Sequence, residues 1–183
     1  GRVMRGRRFI LGLSVGVLLA AAGAFSAQTT GAAPAYQQPP APIADILDAA
    51  PSPSAGLSPD RRTLVLYGRS NLPPVAELAE PMLRLAGYRI NPRNNGPANS
   101  RISWLTGLSF QAVEGGAPRV VALPQGARFI SPSWAPDGRS MAFLLDRPEG
   151  LELWAADVAT ATARPLTQAR VNAATGAAFS WLP

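Results

Sequence analysis

Ser131–Gln168 reads SPSWAPDGRSMAFLLDRPEGLELWAADVATATARPLTQ, and the reading of this stretch decides the fold. Ser131-Pro132-Ser133-Trp134 enters a first extended segment, and Pro136-Asp137-Gly138 is a tight turn. Asp-Gly is a strong hairpin signal because Gly accepts positive φ and Asp tolerates it. The apolar run Met141-Ala142-Phe143-Leu144-Leu145 follows, and Pro148-Glu149-Gly150 makes a second turn. From Leu151 to Val158 the chain alternates. Leu151, Leu153 and Ala155 point one way, and Glu152, Trp154 and Ala156 the other. A period of two marks a strand. Asp157–Thr162 is a third turn, and Arg164–Thr167 starts an outer strand. Four short antiparallel strands in a meander make one blade of a β-propeller.

A lone blade has two apolar faces and two open edges, so it requires neighbours. The sequence repeats accordingly. Leu57-Ser58-Pro59-Asp60-Arg61-Arg62-Thr63-Leu64-Val65-Leu66 matches the segment from Ala135 to Phe143 in type and order. Phe179-Ser180-Trp181-Leu182-Pro183 matches Pro132-Ser133-Trp134-Ala135-Pro136, at a spacing within the roughly 40–50-residue period of propeller blades. After Pro183 an Asp-Gly is expected next, so the end reads as a cut. The first residue is Gly1, and Met4 reads as the natural start.

The 19 Pro and 17 Gly in 183 residues argue for many turns and against long helices. The formal charge is +6, but four of the 17 basic residues (Arg2, Arg5, Arg7 and Arg8) precede an apolar segment. That leaves 13 basic against 11 acidic residues. With no basic stripe interleaved with aromatics, no nucleic-acid partner is expected. All the basic residues are Arg, which reads as a coding bias.

Met4–Phe25 reads as an export signal. Arg5, Arg7 and Arg8 form a positive n-region, Phe9–Leu19 is the apolar core, and Ala20–Ala27 is rich in small residues. The rival reading is an uncleaved anchor, but Phe9–Phe25 is short for a span of about 20 residues. Gln28–Pro42 is an Ala/Pro/Gln-rich linker. Ile43–Ala49 is either a helical turn or a docking strand. The stretch 71–101 breaks the β pattern. Pro73-Pro74 opens a helical turn over Val75–Ala79, Met82 to Gly87 reads as a second short turn, and Arg93–Arg101 is a loop. Strands are expected at Leu64–Tyr67, within Ile102–Val113, and at Arg119–Leu123. The domain reading is therefore 1–27 export signal, 28–42 linker, and 43–183 incomplete propeller with an insert at 71–101.

Tyr36–Pro53 (YQQPPAPIADILDAAPSP), Asn71–Pro92 and Thr106-Gly107 resemble the N-terminal part of the glutamyl endopeptidases, within the prolyl oligopeptidase family of serine peptidases. The most specific carrier is Leu72-Pro73-Pro74, Glu77-Leu78-Ala79, Pro81, Leu85-Ala86-Gly87 and Arg89-Ile90. The Ser-Pro-Asp and Ala-Pro-Asp-Gly turns are less specific, since TolB-like propellers share them. The resemblance implies a propeller that sits over an α/β-hydrolase domain and filters peptides into a buried site. It also implies that the Ser, Asp and His that do the chemistry lie in that C-terminal domain, beyond this chain.

The residues agree. There is no His to take a serine proton and no Lys for a Ser-Lys dyad. Gly12-Leu13-Ser14-Val15-Gly16 spells a nucleophile elbow, but inside the export signal and not at a strand-to-helix turn. With no Cys or His, only carboxylates remain for a metal. Asp137, Asp146, Glu149, Glu152 and Asp157 show no calcium-loop spacing. Asp60 and Asp137 read as turn residues. Trp134, Trp154 and Trp181 recur at blade-like places and read as core, with an aromatic peptide platform as the sharper alternative. Arg84, Arg89, Arg93 and Arg101 flank the insert loop. They are either solvated charge or, in a peptidase that cleaves after Glu, a carboxylate clamp. No residue is assigned as catalytic, cofactor-binding or metal-binding.

The expected fold is all-β: a partial β-propeller of TolB-like four-stranded antiparallel blades with a short helical insert, preceded by a signal helix. The expected function is a non-catalytic, exported propeller piece, periplasmic or secreted, that gates peptide access to a hydrolase domain. Its partners would be peptides and that domain, and it would meet a membrane only through an uncleaved signal. The alternative is a free-standing TolB-like propeller that scaffolds envelope proteins.

Overall fold

The computed structural model describes residues 38–70, 73–98, 104–168 and 170–182. The expected export signal, the Gly12–Gly16 motif and most of the linker lie outside these residues. The chain divides into two units, 1–47 and 48–183. All but the last residue of helix α1 (Ala41–Asp48) belongs to the first unit, so α1 takes Ala41 and Pro42 from the expected linker, and the expected Ile43–Ala49 run is helical as far as Asp48. Pro42 fits because a helix's first turn has no N–H partner to lose. No residue of α1 is buried, and Ile43, Ile46 and Leu47 are exposed. Among the described residues no helix is long and apolar enough to cross a membrane.

The second unit is mostly antiparallel sheet. Its strands are β1 (Ser54–Leu57), β2 (Thr63–Arg69), β3 (Leu83–Leu85), β4 (Tyr88–Asn91), β5 (Gly96–Pro97), β6 (Leu105–Ala112), β7 (Arg119–Val120), β8 (Phe129–Trp134), β9 (Ser140–Arg147), β10 (Gly150–Asp157) and β11 (Thr162–Pro165). A one-turn helix, α2 (Val75–Leu78), precedes β3. Strands β8, β9, β10 and β11 pair consecutively and antiparallel, which is the blade expected from the quoted stretch. The outer strand falls at Thr162–Pro165, two residues earlier than the sequence suggested.

A second meander precedes it. Strand β1 pairs β2, β2 pairs β6 from Thr63↔Ala112 to Arg69↔Leu105, and β6 pairs β7. The insert is thus spliced between the second and third strands of this meander. Between named strands the two meanders pair only at Leu105↔Phe129, with one isolated parallel bridge, Ala122↔Thr162, just past β7. Most of their contact is apolar. Val65, Leu108 and Phe110 from the first meet Phe129, Met141, Phe143 and Leu145 from the second, and none of these is more than 1% exposed.

Alternation explains how one strand serves two cores. On β9, Met141, Phe143 and Leu145 face this seam, whereas Leu144 joins Ile130, Leu151 and Ala173 on the other face. On β10, Trp154 and Ala156 turn to the seam, and Leu151 and Leu153 to the second cluster. That second face is covered by the chain after β11, through Val171, Ala178 and Phe179. A blade buried on both faces needs this continuous apolar run.

The repeats are also neighbours in space. A Cβ on Gly138 would lie 3.3 Å from Asp60 Oδ1, so the two Pro-Asp turns lie side by side. Gly138 has φ +69, the conformation its turn requires. Trp181 donates through Nε1 to the Ser133 carbonyl at 3.3 Å, setting one copy of the Ser-Trp motif against the other. Pro132 sits inside β8 without breaking it because the register shifts between Ile130 and Ser133, and a bulge has no ladder bond there for Pro to lose.

One expectation is overturned. Met82 to Gly87 is not a second helical turn but a β-hairpin, with pairs Leu83↔Ile90, Arg84↔Arg89 and Leu85↔Tyr88. Ala86 and Gly87 both have positive φ, at 47 and 87, as the two-residue turn that matches strand twist demands. Strand β5 completes a small three-stranded sheet.

The seam sets a measurable expectation. Phe143 is 0% exposed and its ring centroid lies 4.8 Å from that of Phe129. Phe143→Ala should cost roughly 3–5 kcal/mol in urea unfolding, and Phe143→Leu less than half of that. A cost below about 1 kcal/mol for the Ala variant would contradict the packing described.

Candidate functional site

The most developed polar constellation lies where the insert meets the second meander. Asp146 is the penultimate residue of β9, and alternation turns its carboxylate to the same face as Ala142 and Leu144. Its side chain is only 4% exposed. A carboxylate so placed must be paired and hydrogen-bonded. Arg93 Nη2 donates to Oδ2 at 2.8 Å and to Oδ1 at 3.1 Å. Asn94 Nδ2 donates to Oδ1 at 2.9 Å. Arg128 reaches Oδ2 through Nε at 2.8 Å and Nη2 at 2.7 Å.

Each partner is itself held. Arg93 Nη1 donates to the Arg147 carbonyl at 2.8 Å, and the Asn94 side-chain oxygen accepts from the Gly96 N–H at 2.9 Å. Asn94 is 1% exposed. Arg128 also pairs with Glu77 of α2 at 2.9 Å and Glu80 at 3.6 Å. Its guanidinium lies 4.6 Å from the centroid of the Trp104 ring, and Trp104 Nε1 donates to Glu77 Oε1 at 2.8 Å. Asn91 donates to Glu80 Oε2. Two arginines and three carboxylates therefore bridge insert and blade, with an aromatic face packed on one arginine. A cleft opens beside them, with Met82, Arg89 and Pro97 on its insert side and Trp104 and Arg128 opposite.

Burial alone would raise the Asp146 pKa. The hydrogen bonds from Arg93, Asn94 and Arg128 outweigh it and hold the carboxyl below its ordinary value. Arg93 is shifted up, first by its bonds to Asp146. The arrangement sets three carboxylates against two arginines, and its acceptors are occupied. It is built to hold two elements together, and it contains no nucleophile beside a base.

The residues singled out from the sequence fall as follows. Of the four insert arginines, Arg93 is engaged by Asp146. Arg84 and Arg89 stand exposed opposite each other on the hairpin, and Arg101 lies outside the described residues. Asp60 and Asp137 shape their turns. Asp60 accepts from Ser58 Oγ at 2.6 Å and the Arg62 N–H at 3.2 Å, and Asp137 from the Arg139 N–H at 2.9 Å. Asp157 accepts from the N–H and Oγ1 of Thr160, both at 2.8 Å. Glu152 accepts from Trp154 Nε1 at 2.8 Å, while Glu149 sits exposed in the turn before β10. Trp134 packs on Phe110 with centroids 5.8 Å apart. Trp134 and Trp154 thus border the seam as core residues, as the plainer sequence reading had it. Sequence reasoning missed Trp104, Arg128, Glu77 and Asn94. Trp104 stands 50 residues before Trp154, within the blade period, and that was the available signal.

No protein-family model matches the chain. A relative in Oryza sativa subsp. japonica, "Probable glutamyl endopeptidase, chloroplastic", is 39% identical over 142 residues, 72% of this chain. Over this stretch the chain belongs to the glutamyl endopeptidase family. The relative of the same name in Arabidopsis thaliana is 36% identical over 165 residues, 85% of this chain. The chain spans only 15% and 17% of the length of these two glutamyl endopeptidases. Among solved structures, a TolB-type protein from Agrobacterium tumefaciens aligns with 65% of this chain and 47% of its own, at 16% identity and a TM-score of 0.30.

The lowered Asp146 pKa fixes the sign of an acid effect. The stabilisation is full above the unfolded carboxylate value of about 3.9 and is lost as pH falls through the lower folded value. Asp146→Asn should cost on the order of 3 kcal/mol at neutral pH, measured by denaturant unfolding. The gap to the parent chain should close as pH falls below the unfolded value and through the lower folded one. A gap that stays constant down to pH 2 would show that the carboxylate charge is not what stabilises.

Proposed function

We propose that this chain is the propeller part of a serine peptidase of the glutamyl endopeptidase type, and that it controls which substrates reach the hydrolase domain. The observation that carries the reading is the 39% identity to the rice glutamyl endopeptidase over 142 residues. The blade-type meanders are the architecture such a filter needs, since stacked sheets around an axis leave a channel narrower than a folded protein. Substrate is a peptide, with acidic residues suggested by the relatives' name. The reacting groups are supplied by the hydrolase domain, because this sequence has no His and no Lys. The chain is exported on the Met4–Phe25 signal, and the relatives' chloroplastic designation shares with that the crossing of a membrane.

The test is a deletion. In the rice glutamyl endopeptidase, removing the region matched by this chain should leave hydrolysis of a short Glu-containing peptide measurable while cleavage of a folded protein rises about tenfold or more. Unchanged discrimination between peptide and folded protein would contradict gating. The present chain alone should hydrolyse neither.

A further inference from the structure

The insert is attached in an unusual way. Neither apolar core contains a residue from 73–98. Its large apolar side chains face outward instead: Val75 is 81% exposed, Leu85 67%, Leu78 56% and Leu83 55%. The insert residues that are buried are Asn91, Asn94 and Gly96. Its attachment is therefore polar. Arg93 and Asn94 hold Asp146, Arg93 holds the Arg147 carbonyl, and Glu77 and Glu80 hold Arg128. Two further contacts lie at the same tip. The Ala173 N–H donates to the Asn95 carbonyl at 2.9 Å, and the Cα of Gly96 sits so close to Leu151 that a Cβ there would be 2.8 Å from Cδ1.

The blades are held otherwise. Strands β9 and β10 pair over eight residues each and bury apolar side chains on both faces. An element without shared apolar burial opens at a lower free energy than the core beneath it. Its internal bonds are its own: β3 pairs β4, β4 pairs β5, and the Ala98 N–H donates to the Arg89 carbonyl. It keeps those bonds when it moves.

We propose that residues 73–98 form a flap, fastened to the second meander by the Arg93–Asp146–Arg128–Glu77 clasp, that lifts from folded blades and uncovers the Trp104–Arg128 face beneath it. The trigger is competition for the clasp's arginines by anions or the loss of its central carboxylate. The flap's own side of the cleft, with Met82 and Arg89, leaves with it, so opening converts a narrow cleft into an accessible aromatic-cationic surface.

Hydrogen–deuterium exchange of the full chain, read by mass spectrometry segment by segment, tests this. In the parent chain the peptides spanning 88–98 should be at least about tenfold less protected than those from β9 and β10, and in Asp146→Asn the peptides spanning 88–98 and 171–175 should exchange about tenfold faster or more. Arg93→Gln, a change outside the blades, should do the same and serves if the Asp146 variant does not fold. Raising sodium chloride from 0.05 to 1 M on the parent chain should shift the same two segments in the same direction. The proposal is overturned if, in the parent chain, 88–98 is as strongly protected as β9–β10, since the insert then opens only with the whole fold. It is equally overturned if neither variant nor salt changes exchange in 88–98.

Discussion

The apolar seam between the two meanders is the contact on which the second unit depends. Phe110, Phe129 and Phe143 meet there with Val65, Leu108, Met141 and Leu145, all 1% exposed or less. Strand pairing cannot replace it, because only Leu105↔Phe129 and the isolated bridge Ala122↔Thr162 link the meanders as sheet. A four-stranded meander by itself has too little buried surface to be stable, and two of them sharing a face solve the problem for both. The same logic governs the other face of the second meander, where Val171, Ala178 and Phe179 cover Leu144 and Leu151.

The insert obeys a different rule. It interrupts the first meander between β2 and β6 without disturbing their register, since that pairing runs continuously from Thr63 to Gly68 before shifting at Arg69. It adds none of its apolar side chains to the seam. What holds it is a buried carboxylate, two arginines and the carboxylates of Glu77 and Glu80, an arrangement more directional than an apolar contact and more sensitive to charge and salt. A shared core makes the blades one body, and a polar clasp makes the insert an attachment. The relation to glutamyl endopeptidases covers both parts, since the matched stretch is most of the chain.

Much of this was legible in the sequence. The period-two pattern of Leu151–Ala156, the Asp137-Gly138 turn and the recurrence of Ser-Trp gave the second meander nearly residue by residue, because local geometry writes itself into alternation. The pairing of β2 with β6 was not legible, since it closes over the whole insert and no local signal marks it. The hairpin at Leu83–Tyr88 was misread because three-residue strands are too short to show a period, and Gly87 serves as well for a helix stop as for a hairpin turn. The clasp was the least legible. Arg93 and Asp146 are 53 residues apart and Arg128 and Glu77 are 51, so nothing in either neighbourhood announces the other. What could be read was narrower: with no His and no Lys in the given sequence, it cannot itself assemble a Ser-His-Asp triad or a Ser-Lys dyad.

The claim that two consecutive sheet repeats share one apolar seam is tested most directly by nuclear Overhauser contacts across it. The Phe110 ring and the Trp134 indole, with centroids 5.8 Å apart, belong to different meanders, as do Tyr67 and Met141, whose Oη and Sδ lie 3.6 Å apart. Cross-peaks for both pairs, alongside the strand contacts within each meander, are the predicted result. Strand contacts within each meander with neither cross-peak between them would contradict the account.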